Sequence, residues 1–183
     1  MPVARRLEEL SEINTRSTDG TRAVVFSENM AQGDDLPTVA PQPVLWARHQ
    51  HVFAGLTWQE SKERYYQWLY YMNRDEAWLN ESIKRGDFVS MIALFGWGRH
   101  TDRLNSEYKP LTYREIAEEA RRYGEYRRNF GIEQARQPTV SFVVVPSDSS
   151  LDLSNLKLWY EFETGENFGA YTLYKVQLKT INQ

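Results

Sequence analysis

Residues 43–72, PVLWARHQHVFAGLTWQESKERYYQWLYYM, and residues 88–97, FVSMIALFGW, decide how this chain is read. The run 43–47 predicts a strand that ends in a polar and aromatic loop holding Trp46, Arg48, His49 and His51. Thr57-Trp58-Gln59-Glu60 then fits a capping box, in which the threonine hydroxyl accepts the N3 amide and the glutamate reaches back to the threonine amide. The helix it opens runs to Met72. The nearly all-apolar run 88–95 predicts a central strand covered on both faces, as in a parallel sheet. It ends in Gly96-Trp97-Gly98-Arg99-His100, so all three histidines fall just after two predicted strands. In an open α/β sheet, ligands bind at that edge.

The rest of the chain extends this pattern. Val3, Leu7, Leu10 and Ile13 have helical spacing, and residues 1–18 lead into the domain. Residues 22–27 (RAVVFS) predict a short buried strand and 28–41 a polar loop. Residues 75–85 predict a second helix after the aromatic one, with Gly86 at its C′ position. Thr112-Tyr113-Arg114-Glu115 is another capping box, opening a helix to about Phe130. A strand over 139–145 (TVSFVVV), a short helix over 153–160 and a terminal strand over 171–178 (YTLYKVQL) follow. The last alternates, which predicts an antiparallel strand near an edge. Strands alternating with helices give the α/β class, with one mostly parallel sheet and helices on both faces. The whole chain, 1–183, reads as a single domain.

Composition narrows the function. A formal charge of −3 argues against a dominant nucleic-acid role, which needs a basic footprint. Absence of cysteine removes disulfides, thiolate metal sites and a cysteine nucleophile. No window approaches the roughly 18 apolar residues that span a bilayer. The start, MPVARRLEELSEI, lacks the apolar core of a secretory signal, so the expectation is a cytosolic protein or a soluble part of a longer chain. Tyr, Trp and Phe number 11, 6 and 8. That abundance predicts a core built on rings, with some rings lining a groove as the sharper alternative.

Several constellations carry chemistry. His49 and His51, with His100, would be a three-imidazole metal set, but no zinc-enzyme carboxylate motif accompanies them and no metal is expected. Arg99 beside Gly96 and Gly98 could clamp a phosphate or carboxylate, yet the run matches neither the dinucleotide fingerprint nor a P-loop, and no cofactor is expected. Glu28 and Asp148, each after a predicted strand, are candidate acid/base carboxylates, with solvated loop acids as the plainer reading. The aromatic helix spreads Tyr65, Tyr66, Trp68, Tyr70 and Tyr71 around its circumference and should be covered on more than one side. Tyr66 and Tyr70, four apart, are the candidates for a partner contact, with burial inside the domain the alternative.

The order of the blocks AVVFS (23–27), LPTVAPQPVLWARHQHVFAGLT (36–57), ERYYQWLYYM (63–72), ALFGWGR (93–99) and LSNLKLWYEFETGENFGAYTLYKVQL (153–178) resembles the soluble C-terminal domain of some bacterial polytopic membrane proteins. Those proteins look like C-type, lipid-linked-sugar-dependent glycosyltransferases. The resemblance covers about residues 5–179. It implies a position on the extracytoplasmic, periplasmic side of a membrane. It also implies that catalytic carboxylates lie in loops of a membrane part, so no catalytic residue carries over to this chain.

The reading that follows is a single Rossmann-like, three-layer α/β domain with a mostly parallel sheet and an antiparallel C-terminal edge strand. Its role would be noncatalytic: an accessory domain that docks a glycan or a membrane-embedded partner through Trp46, Arg48, His49, His51, Trp97, Arg99 and His100. Two rivals stand beside it. One is a small enzyme using Glu28, Asp148 and a histidine at the same rim. The other is a structural subunit of a membrane-associated assembly, touching its partner through Tyr66 and Tyr70.

Overall fold

The computed structural model of the protein describes residues 2–13, 23–48, 55–100 and 109–180. In chain order the helices are α1 (Pro2–Ile13), α2 (Met30–Asp35), α3 (Trp58–Tyr71), α4 (Glu76–Lys84), α5 (Phe88–Phe95), α6 (Trp97–His100), α7 (Tyr113–Arg128), α8 (Ile132–Arg136) and α9 (Ser154–Trp159). The strands are β1 (Val24–Ser27), β2 (Val140–Pro146), β3 (Tyr160–Phe162), β4 (Glu166–Asn167) and β5 (Tyr171–Leu178).

Apolar alternation on these strands builds a core on each face of one open sheet. β1 sends Val24 and Phe26 to one side and Val25 to the other. β2 sends Val143 and Val145 to the first side, and Phe142 and Val144 to the second. Val140 joins the first side despite its even number, because the pairing steps from Val24↔Val140 to Val25↔Phe142. The extra residue, Ser141, makes a β-bulge that resets the alternation. α1 closes the second face with Val3, Ala4, Leu7 and Leu10, and Arg6 Nε donates to Glu166 on β4 at 2.9 Å. α3, α4 and α7 bury their apolar faces over the first.

The sheet order is β1-β2-β5-β3, with β4 also on β5. Only β1 and β2 run parallel; β2, β3 and β4 all pair antiparallel with β5. The expected mostly parallel sheet is therefore a mixed one, and β5 lies inside it rather than at its edge. Burial explains the position: Leu173 is fully covered on the face opposite Val176, so β5 has apolar neighbours on both sides.

The larger departure is α5. Residues 88–95, expected as the central strand, form a helix whose N-cap Asp87 accepts from Val89 N at 3.1 Å. Gly96, at φ 84, ends it in a conformation that side chains disfavour. An apolar run of eight residues carries no period, so helix and buried strand look alike in sequence. The expected strand at 43–47 is reduced to one bridge, Val25↔Val44, with Val25 N donating to Pro43 O and Leu45 N to Val25 O.

α3 meets the expectation of cover all round. Trp46 packs on Tyr65 with ring centroids 4.6 Å apart, and Phe130 stacks on Tyr70 at 3.7 Å. Each ring's polar tip is satisfied. The Tyr65 hydroxyl meets Ser90 Oγ at 2.7 Å, Tyr66 donates to Glu119, and Tyr71 accepts from Gln67 Nε2. Trp68 Nε1 donates to Ser27 O at 2.9 Å, which ties α3 to the end of β1. Burial pushes the Tyr65, Tyr66 and Tyr71 phenols well above their ordinary pKa, so they remain neutral donors.

Candidate functional site

The loop after β1 is braced before it reaches the candidate rim. Asn29 caps α2 by accepting from Gln32 N, and α2 places Asp34 beside Arg48. Asp34 accepts from Arg48 N at 2.9 Å and from Arg48 Nε at 2.6 Å. The Arg48 fork is thus fixed by both backbone and side chain. Its neighbour Trp46 is buried, held between Tyr65 and Trp68.

α5 then supplies the facing wall. Phe88, Val89, Ile92 and Ala93 close with Trp46, Arg48 and Trp97 around a cavity of about 90 Å3. Phe88 and Trp97 are 49% and 51% exposed, whereas Trp46, Ile92 and Ala93 in the same lining are buried, so the cavity is apolar with two half-exposed rings. Trp58 adds a third exposed ring nearby, its Cη2 lying 3.7 Å from where a Cβ on Gly96 would sit. Three of the expected rim residues, Trp46, Arg48 and Trp97, are therefore brought together.

The others are not. Arg99 is committed elsewhere: Nη2 donates to both Glu115 carboxylate oxygens, at 2.9 and 3.0 Å, and Nε donates to Lys109 O at 2.9 Å. This fork fastens α6 to the start of α7 and leaves little of the guanidinium for an anion. Glu115 is held in turn by the Thr112 amide and hydroxyl and by Arg99, which lower its pKa to about 2. His49 and His51 lie outside the described residues, as does the side chain of His100. Because α5 is a helix, Trp97 and His100 do not follow a strand, and the sheet-edge argument for gathering the histidines no longer applies to them.

Glu28 stands at the end of β1, where its Oε2 accepts from Ser149 Oγ at 2.5 Å and its N donates to Val144 O. Asp148 is the residue before Ser149, in the turn after β2. Tyr66 and Tyr70 are buried within the domain: Tyr66 donates to Glu119, and Tyr70 stacks on Phe130 and accepts from Trp159 Nε1 at 3.0 Å. They are only 7% and 6% exposed, because the helix that carries them is covered by α7 and by Trp159, so burial inside the domain, the alternative reading, is what the structure gives them.

Sequence reasoning missed Phe88, Val89, Ile92 and Ala93, which it had assigned to a buried strand. The signals that identify them are Asp87 as an N-cap and Gly96 as a helix stop, which together convert the run into a helix with one face over Trp46. Among the described residues no group of three or more His, Cys, Asp or Glu is placed to hold a metal ion, and no helix is long and apolar enough to cross a membrane. Protein-family models, curated proteins and solved structures were all compared with this chain, and none of them matches it.

Proposed function

We propose that this chain is a noncatalytic recognition domain that seats an apolar side chain of a partner protein between Trp46, Phe88 and Trp97. The observation that carries the reading is the small apolar cavity with two half-exposed aromatic rings at its mouth. Buried aromatic and aliphatic anchors in such pockets dominate protein–protein affinity.

The pocket's chemistry favours a protein anchor over a glycan. Among the described residues Arg48 is its one charged lining residue, and Asp34 already engages it. A sugar ring entering an apolar floor would leave hydroxyls without partners, a cost that an aliphatic or aromatic side chain avoids. The resemblance of the block order to C-terminal domains of glycosyltransferase-like membrane proteins is what favours, as part of this proposal, a membrane-embedded partner on the extracytoplasmic side of a bacterial membrane. Cores on both faces of the sheet support the three-layer, Rossmann-like arrangement expected for that relationship.

The test is selection of displayed peptides that bind the full chain, followed by titration of the selected peptides onto variants. Phe88→Ala and Trp97→Ala are expected to weaken binding about tenfold or more, the loss typical of a hot-spot ring. Binding that is unchanged in both variants, or saccharides that bind this pocket more tightly than any peptide, would overturn the reading.

A further inference from the structure

A second concavity, of about 780 Å3, lies between α3 and α8 and is lined far more by polar and charged side chains than the first. Gln59, Glu60, Glu63, Arg64 and Tyr66 line it from α3; Tyr126, Glu133, Gln134, Gln137 and Pro138 complete it. Its volume is that of small-molecule sites.

The three carboxylates are already engaged. Glu60 accepts from Thr57 N at 2.7 Å, Glu63 from Gln59 Nε2 at 2.8 Å, and Glu133 from Arg136 at 3.2 Å. Arg64 is not. Among the described residues its guanidinium makes no hydrogen bond or ion pair, and the same holds for the Gln137 side chain and the Tyr126 hydroxyl. Burial lowers the Arg64 pKa, and Glu60 offsets that only in part. A cation taken from water without acceptors is costly until a ligand supplies them.

We infer that this groove binds a saccharide carrying one carboxylate, with Arg64 gripping the carboxylate, Gln137 and the glutamates meeting hydroxyls, and the Tyr126 ring walling the C–H face. The lining holds both donors (Arg64, the glutamine amides) and acceptors (the glutamates), and a hydroxyl is the group that both donates and accepts. Glutamate oxygens with spare lone pairs accept hydroxyl protons. The same three carboxylates repel phosphate and acidic peptides, whose charge one guanidinium does not balance. A single carboxylate is the smallest negative charge that Arg64 can pair with one to one, whereas a phosphate dianion or an acidic peptide leaves charge facing the three glutamates unpaired.

The experiment titrates the full chain with aldobiouronic acids, which carry one uronate and one neutral sugar, and with the matching neutral disaccharides. Amide shifts in α3 and α8 report binding by NMR. The expected result is a preference of about tenfold for the acid, the size of one charge-assisted hydrogen-bonded pair. Arg64→Gln should abolish that preference while the melting temperature holds, since among the described residues the Arg64 guanidinium makes no hydrogen bond or ion pair. Gln137→Ala should weaken both ligands. Equal binding of acid and neutral sugar, a preference that survives Arg64→Gln, displacement by inorganic phosphate or a short acidic peptide at matching concentration, or no shift with any aldobiouronic acid would each overturn the inference.

Discussion

The Lys62 ammonium sits 2.6 Å from the Glu119 carboxylate, with the Glu119 side chain 3% exposed and that of Lys62 15%. Tyr66 donates to the same carboxylate, and Arg122 approaches its other oxygen at 3.4 Å. α3 and α7 are thus joined by a charge that neither helix could bury alone. Lys62→Met strands part of that charge and should cost about 2–3 kcal/mol, below the full loss of a buried pair because Tyr66 and Arg122 remain. Adding Glu119→Leu to Lys62→Met should cost less than the sum of the single changes. Urea titration of the four proteins in the cycle measures this, and strict additivity would show that the pair carries no coupling.

Glu115 gives the fold a defined acid dependence. Its carboxyl is lowered from 4.5 to about 2 by the Thr112 amide, then the Thr112 hydroxyl, then Arg99. A depressed folded-state value means the fold favours the charged form. The contribution is therefore complete above 4.5 and fades as pH falls toward about 2. Glu115→Gln keeps a side chain that can close the capping box but removes the charge. Its melting temperature should lie below that of the parent at neutral pH, and the gap should narrow through that acid window. A gap independent of pH would rule out the electrostatic origin.

The buried Tyr160 hydroxyl serves two backbone groups, donating to Ala135 O at 2.5 Å and accepting from Val140 N at 3.2 Å. Tyr160→Phe deprives both, at a cost of about 1–3 kcal/mol. Tyr113 is 75% exposed, and Tyr113→Phe should change stability by no more than about 0.5 kcal/mol. Chemical denaturation of the two variants side by side compares them.

Two glycines should respond to alanine with opposite sign. A Cβ on Gly165 would come within 2.6 Å of the Tyr174 ring and 2.8 Å of Thr172 Cγ2, both seated on β5. Gly165→Ala should cost about 1–3 kcal/mol, the range for overpacking. A Cβ on Gly124, inside α7, would meet only the ends of the Glu76 and Arg128 side chains, which can swing away. Gly124→Ala should gain up to about 1 kcal/mol in helix propensity. A thermal melt in which both variants lose stability would contradict the packing described for Gly124.

What was legible in the sequence was local. The capping boxes at Thr57/Glu60 and Thr112/Glu115 form as read, because every group in them lies within three residues. Cover around α3 also followed from its rings alone. The run 88–95 was misread because its apolar content masks any period; its cues were the polar residue before it and the glycine after it. The place of β5 was hidden for a different reason: pairing with β2, β3 and β4 is set by contacts far apart in the chain. At the candidate site, Trp46, Arg48 and Trp97 converge as expected, but a helix rather than a strand carries the third of them there.

The strand that unites the sheet is also the last of the five to be made. Until residues 171–178 have left the ribosome, β2 has a partner on one side only and β3 has none. A nascent chain that stops short of Tyr171 would carry the Val140–Pro146 edge bare, with Val143, Val144 and Val145 ready to pair with another copy. Synthesis of this protein therefore passes through a stage at which every helix before Tyr171 has been made while the β2 edge still lacks its β5 partner. That stage is where a chaperone would find its client.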